Sequence, residues 1–280
     1  MKVSSIKFLL TMLVVGGVAL FAIGCSNSSA PASNTDQSAN SESGSAQSDT
    51  SWTDVQEDGE LVVGLAAAYP PFESRNEETG EIEGFDVDMA NAIGQELGVD
   101  IKIIDAEWQA LLGGLNKGDY DVLITCMSKK EASVENVNMS DVYYNLNDVI
   151  VVGKDETEIT SVADLEGKIV GVQLGSGSEQ YVDQLTNLKE IKRYNYNPEA
   201  FLDLKNNRID AVVVGYAYAV DQIANDPAFK VLEEPIGSAE IVMVSKSGGD
   251  ELTAKLNEGL SKINENGIYD ELTAKWLTIN

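Results

Sequence analysis

The sequence predicts an α/β protein of two lobes, each a mostly parallel sheet with flanking helices, joined by a two-strand hinge and holding a ligand cleft between them. Three observations lead there. Short apolar runs of strand character alternate with stretches of helical spacing, the pattern of a parallel sheet. The segment Leu115–Thr125 can be laid over Leu204–Val214, each a helix end, a polar turn, an Asp and a four-residue apolar strand. Two stretches near Asn147–Val152 and Pro235–Val244 run apolar and extended without helical spacing, so the chain is expected to cross twice between the lobes.

The elements follow in order. Leu61 to Leu65 reads as a buried strand ended by the turn at Pro70-Pro71. After an acidic loop, Glu77 to Glu83, Asp86 stands where a helix cap is expected, and Met89, Ala90, Ile93 and Leu97 line one helical face that Gly98 closes. Val99, Ile101 and Ile103 alternate as a half-buried strand, Trp108, Leu111, Leu112 and Leu115 form a helical stripe, and Tyr120 to Thr125 reads as a buried strand. Strand ends at Cys126 and Gly215 would both face the cleft, since ligands of open α/β sheets bind at the carboxyl ends of strands. The tail from Leu252 to Trp276 shows two helical patches broken at Asn266-Gly267 and is expected to pack on the first lobe. The boundaries expected are 52–148 plus 240–280 for lobe 1 and 149–239 for lobe 2.

Residues 1–24 combine Lys2 and Lys7 with an apolar run from Phe8 to Ile23, a secretory leader by pattern. Ala22-Ile-Gly-Cys25 resembles the lipobox of bacterial lipoproteins, whose cysteine is acylated, although Ala22 stands where Leu is usual. From Cys25 to Ser51 the chain is nearly all small and polar, a flexible tether of about 30 Å root-mean-square span. The expectation is a lipid anchor on the extracytoplasmic face of a bacterial membrane. Without the leader, 17 basic residues oppose 46 acidic ones, a formal charge of −29. That argues against nucleic acid and against electrostatic adhesion to anionic lipid. Acylation of Cys25 leaves Cys126 without a disulfide partner, and the absence of histidine excludes His-based catalysis and His metal sites.

Several motifs occur in a common order: Leu61-Val-Val-Gly with Tyr69-Pro-Pro-Phe-Glu73, Gly84-Phe-Asp-Val-Asp88, Gly118-Asp-Tyr-Asp-Val, Met139-Ser-Asp-Val-Tyr-Tyr144, Gly171-Val-Gln-Leu-Gly-Ser-Gly, and Asn266-Gly-Ile-Tyr-Asp with Lys275-Trp276. From about Glu57 to Leu277 the chain resembles the polar amino acid branch of the bacterial extracellular solute-binding proteins, receptors for ABC importers. The resemblance implies the type II periplasmic-binding fold, a small solute as ligand, a membrane permease and its ATPase as partners, no cofactor, and action as a monomer. It also implies an arginine for the ligand carboxylate and aspartates for its ammonium. Those positions fall here on Ser133, Ala66 and Gly215, so all three charged contacts are replaced. Retained by the resemblance are Tyr69, Trp108, Thr125, Cys126, Ser128, Gln173, Ser176, Gly177 and Ser178.

Each candidate has a plainer reading. Trp108 heads an apolar stripe and could be core; Gly175 to Ser178 could be a simple serine cap rather than a set of backbone donors for an oxygen-rich group. Cys126 could be an ordinary buried thiol, and Lys129 and Lys130, beside Glu131 and Glu135, a solvated face. Tyr216 could swing into space vacated at Gly215. Asp86 and Asp88 read as cap and first-turn charge. The expected solute is an amino-acid-like compound, modified, aromatic, neutral or cationic, captured by cleft closure. The alternatives are a dehydratase-type enzyme using Glu73, Glu107 or Glu179, and a sensory or scavenging module without transport.

Overall fold

The computed structural model describes residues 48–278 apart from 233, so the expected leader, the acylation of Cys25 and most of the tether lie outside the described residues. Asp49 already accepts hydrogen bonds from the backbone of Ser51 (2.9 Å) and Glu251, and Ser51 opens the first helix. The folded unit therefore begins before the expected boundary at Trp52.

Helix α1 (Ser51–Asp58) leads into β1 (Glu60–Leu65), followed by the short β2 (Ala68–Tyr69), β3 (Glu73–Arg75) and β4 (Ile82–Glu83). Then come α2 (Phe85–Leu97), β5 (Asp100–Asp105), a single 3-10 turn at Trp108–Ala110, α3 (Leu111–Lys117), β6 (Val122–Leu123) and α4 (Lys129–Ala132). The long β7 (Val137–Gly153) crosses to β8 (Ile169–Gln173), α5 (Gly177–Val182), β9 (Glu190–Tyr194), α6 (Asn197–Lys205), β10 (Ala211–Gly215), α7 (Tyr216–Asn225) and β11 (Phe229–Val231). Strand β12 (Gly237–Lys246) returns, and α8 (Asp250–Glu265) and α9 (Ile268–Trp276) close the chain.

The main sheet has the order β5-β1-β6-β12-β7-β10-β8-β9, with β11 beside β7. Within each lobe the strands are parallel: β5, β1 and β6 on one side, β10, β8 and β9 on the other. Antiparallel pairing enters where β7 and β12 run alongside each other and join the two sides. These are the two extended crossings expected from the sequence. Their pairing breaks register twice, between Ile241 and Val242 and between Val242 and Val244, and such irregularities bend a strand pair.

Leu61, Met89, Ile93, Leu256 and Ile263 pack between the first sheet half and helices α2 and α8, with Leu111, Leu115 and Leu123 on its other face. In the second lobe Phe201, Val212 and Tyr218 fill one face, and Ile150, Val170 and Val213 the other. The break at Asn266-Gly267 separates α8 from α9, with Gly267 in the left-handed region at φ 82°, and Ile268, Tyr269, Leu272 and Trp276 of α9 pack against the first-lobe core as expected.

One expectation fails at α2. Gly84, not Asp86, occupies the cap, at φ 142°. A Cβ there would lie 2.1 Å from the Phe72 carbonyl oxygen, so only glycine fits where the loop crosses the helix start. Asp86 is thereby moved into the first turn and is fully buried. The expected strand Tyr120–Thr125 also shortens to Val122–Leu123, since only these residues pair on both sides.

The internal repeat is a repeat of contacts. Asp121 Oδ2 accepts from Val62 N at 2.8 Å, and Asp210 Oδ2 accepts from Ile169 N at 2.7 Å, so each aspartate ties its own strand to the neighbouring one. Tyr120 covers Gly64 two residues along β1, and Ile209 covers Gly171 two residues along β8. Removing either carboxylate as Asp121→Ala or Asp210→Ala is expected to cost about 1–3 kcal/mol. The two losses should add, since the sites lie in different lobes without shared partners. Chemical denaturation of both single variants and the double variant checks this.

Candidate functional site

Where the ends of the parallel strands meet the crossing strands, a cleft of about 630 Å³, including its open mouth, is lined from both lobes. Of the residues expected at the site, Tyr69, Trp108, Thr125, Cys126, Gln173, Ser176, Gly177 and Ser178 line it. Ala66 lines it too.

Four expected residues do not. Ser128 is buried as the cap of α4, its hydroxyl accepting from Glu131 N at 3.2 Å. Ser133 is exposed, and its hydroxyl donates at 2.5 Å to the Lys129 carbonyl one turn back. Gly215 lies behind Tyr69: a Cβ there would sit 2.4 Å from the Tyr69 hydroxyl, so the space beside it is taken by that ring. Tyr216 faces outward, 42% exposed, on a separate surface groove with Val220 and Ile223. The two lysines lie at the rim, Lys129 Nζ 3.2 Å from Glu240 and Lys130 Nζ 5.2 Å from the centre of the Tyr181 ring.

The walls are aromatic and held in place. Tyr69 stacks on Tyr218 with ring centres 4.8 Å apart. Trp108 donates its indole N–H to the Gly175 carbonyl at 3.2 Å, and Gln109 donates to the Leu174 carbonyl at 3.2 Å, so the two lobes touch along this edge. Gln173 is fixed by two partners, donating to the Asn195 carbonyl at 3.1 Å and accepting from Asn197 at 3.0 Å. Ser176 caps α5, as expected, accepting from Glu179 N at 3.1 Å.

Three carboxyl groups, Glu73, Glu131 and Asp148, line the cleft and are buried; sequence reasoning named Glu73 only as an acid of the dehydratase alternative and missed the other two. None of the described residues lining it is Lys or Arg. Glu131 was read as part of a solvated face, yet it is the fourth residue of the box Ser128-Lys-Lys-Glu131, in which Oε2 accepts from Ser128 N at 2.6 Å. That legible signal turns its side chain inward, where Oε1 accepts from Gly177 N of the opposite lobe. Burial pushes this carboxyl up to about 7 against the opposing pull of its hydrogen bonds. Asp148 is the β7 residue paired with Gly215 of β10. Its Oδ1 accepts from the Ser178 hydroxyl, while Oδ2 receives no donor among the described residues. Burial raises it to about 6.

Glu73 Oε1 accepts from Thr125 at 2.9 Å, and Thr125 in turn accepts from Ala66 N at 3.1 Å. Behind it Asp86 accepts from Cys126 N and, at 2.9 Å, from the Tyr143 hydroxyl. Glu73 Oε2 and Asp86 Oδ1 have no donor among the described residues. The two carboxyls interact directly, and burial is the first cause that raises both. One proton shared between them accounts for both orphaned oxygens. The same grip on the Cys126 N–H holds that residue at φ 48°, in the left-handed region. Burial, then the Asp86 and Glu73 charges, push its thiol well up, so it is a neutral wall and not a reactive group.

With this geometry in view, the comparisons with known proteins decide the family. The model of "Bacterial extracellular solute-binding proteins, family 3" matches residues 61–279. The chain belongs to this family. It is 33% identical over 226 residues to the arginine-binding extracellular protein ArtP of Bacillus subtilis (strain 168), covering 78% of this chain and 86% of that one. Among solved structures it is similar to a P235GK mutant of ArgBP from T. maritima, with 34% identity, a TM-score of 0.76, and coverage of 81% of this chain and 99% of that one. It is also similar, at 30% identity and a TM-score of 0.75, to the ancestral amino acid-binding protein AncCDT-1, described as a precursor of cyclohexadienyl dehydratase, with 81% and 99% covered. The family expected from the motifs is the one found.

The buried carboxyls set a pH signature. A carboxyl whose folded pKa is raised binds its proton more tightly in the native than in the unfolded chain, so its contribution is full below the unfolded value and is lost as pH rises through the folded one. For Glu131 and Asp148 that window runs from about 4 to 7. On the acid side, Asp203 and Glu258, lowered to about 2 by their Lys and Arg partners, lose their contribution as pH falls from about 4. The melting temperature of the protein by itself should therefore peak near pH 4 and fall by pH 8. Calorimetry across this range in matched ionic strength checks it, and Asp148→Asn should flatten the fall.

Proposed function

We propose that this protein is the lipid-anchored substrate-binding component of an ABC importer, capturing a positively charged, amino-acid-like solute by closure of the two lobes. One observation carries the charge assignment: three buried carboxyl groups line the cleft, and no basic side chain among the described lining residues opposes them. Burying anionic groups without counter-charge is costly, and a cation in the cleft supplies the missing partner. Asp148 Oδ2 is the acceptor open to it. Tyr69, Trp108 and Tyr196 offer ring faces, which attract cations by about 0.5–2 kcal/mol each. Family membership and the arginine-binding relative support an extracytoplasmic receptor for a small cationic solute.

In this reading lobe 2, residues 149–239, swings against 52–148 plus 240–280 about β7 and β12. The acylated Cys25 and the tether hold the receptor at the membrane, where a permease and its ATPase receive the solute. A single copy of the chain is sufficient, since both walls come from one chain. Among the described residues no helix is long and apolar enough to cross a membrane. Catalysis by a cleft carboxyl finds little support. Glu179 is engaged by Arg193 and by Gly175 N, and Glu73 is turned to Thr125 and Asp86.

The test is a thermal-shift screen of cationic, neutral and anionic solutes, with mass spectrometry of whatever copurifies. A ligand at a hundred times its dissociation constant adds about 2.7 kcal/mol. The expected result is stabilisation by cations alone; selective stabilisation by an anion would overturn the reading. A cation also requires ionised partners, so its affinity should fall as pH drops from about 7 to 5, through the raised values of Glu131 and Asp148. Binding at pH 6.5 should release protons, measured as a dependence of the calorimetric heat on buffer ionisation enthalpy.

A further inference from the structure

The hydrogen bond between Glu131 and Gly177 N joins the two lobes across the cleft, and the accounting of the Glu131 oxygens gives it meaning. Oε2 is taken by Ser128 N, and Oε1 by Gly177 N. Both acceptors serve the protein, so Glu131 has little left with which to hold a solute. The backbone donor it occupies is the one that opens α5 and faces the cleft. A carboxylate arriving with a solute would have to displace Glu131 from that donor. It would meet no Lys or Arg among the described lining residues, and it would lie among Glu73, Glu131 and Asp148. An ammonium or amidinium group has the opposite fate, since Asp148 is buried with one oxygen unclaimed and sits beside Tyr69 in the wall.

We propose that Glu131 supplies, from within the chain, the carboxylate that bridges the lobes, so that the solute recognised is an amine or guanidine cation bearing no carboxylate of its own. This rests on the reading of the cleft as a cation receptor and narrows it: the solute class is the decarboxylated counterpart of an amino acid. The distinction follows from chemistry already described. The cationic end of an amino acid and of its amine are the same, and only the carboxylate separates them. A like charge held a few ångströms from Glu131 and Asp148, at an effective dielectric near 20, weakens binding by on the order of a hundredfold or more.

The experiment titrates the intact folded protein with four pairs differing only in that group: arginine and agmatine, lysine and cadaverine, histidine and histamine, tyrosine and tyramine. Glutamine and glutamate serve as neutral and anionic controls. Calorimetry is run at pH 7.5 on the native protein and on Glu131→Gln, with thermal melts to establish that the variant is folded. The expected result is that at least one amine binds, at least a hundredfold more tightly than its parent amino acid, and that Glu131→Gln narrows the gap at least tenfold by improving binding of the amino acid. If Glu131 only caps α4, the variant weakens both members of a pair alike, and the proposal falls. If an amino acid binds as tightly as its amine in the native protein, the proposal falls while the cation reading stands. If glutamine or glutamate binds and no cation does, or if nothing in the panel binds, both fall.

Discussion

The structure depends on the pairing of β7 with β12. Each lobe alone is a short parallel sheet whose strand ends point to open solvent. Laying two long antiparallel strands between them turns both sets of ends toward one place. The register then decides what that place contains. Asp148 pairs with Gly215 on one side and Gly237 on the other, so a charged residue sits at the centre of the hinge between two residues without side chains. Directly opposed residues share a sheet face, and the room left by Gly215 goes to Tyr69 while Asp148 takes the floor of the cleft beside it.

The charge distribution has two regimes. On the surface the acidic residues find cations. Arg193 reaches Glu179 and Asp183, Lys192 and Arg208 converge on Asp203, and Lys275 meets Asp88. Where these contacts shift the carboxyls, as at Asp203 and Glu258, the shift is downward. In the cleft the direction reverses, because burial is the first cause and no Lys or Arg lines the walls among the described residues. The large formal charge of the whole chain does not explain this, since exposed charges are screened over about 8 Å at physiological salt. What distinguishes the cleft is local, namely which few side chains stand within a few ångströms of a solute and how little water they share.

The two-lobed architecture was legible because it rests on periodicity and on an internal repeat whose residues make the same contacts twice, Asp121 with Val62 and Asp210 with Ile169. The glycine-rich start of α5 and the aromatic positions were legible as local patterns. The carboxyl floor was less so. Glu131 carried a signal, the serine three residues before it, but a capping box fixes only which backbone groups are satisfied and says nothing of what lies opposite. Asp148 carried almost none: an acid at the start of an apolar strand reads as a strand end, and only the long continuation of β7 on both sides makes it central. Asp86 was misplaced because Gly84 took the cap under pressure from the Phe72 carbonyl, a contact between segments twelve residues apart.

Closure in such a receptor is an equilibrium between lobe arrangements, and a solute shifts it only by binding one arrangement better than the other. Contacts made by the protein across its own cleft set the starting point. Trp108 to Gly175, Gln109 to Leu174 and Glu131 to Gly177 lie along one edge, all reaching residues 174–177 from the first lobe. If the lobes close as proposed, such contacts favour the binding arrangement, and apparent affinity scales with the fraction of molecules in it. On the proposed reading the solute then contributes less at this edge and more at the floor, where Asp148 and the Tyr69 ring line the same cleft. On that reading a small cation is held through a few contacts, because part of what an amino acid would do for closure at its carboxylate end is done by the chain itself.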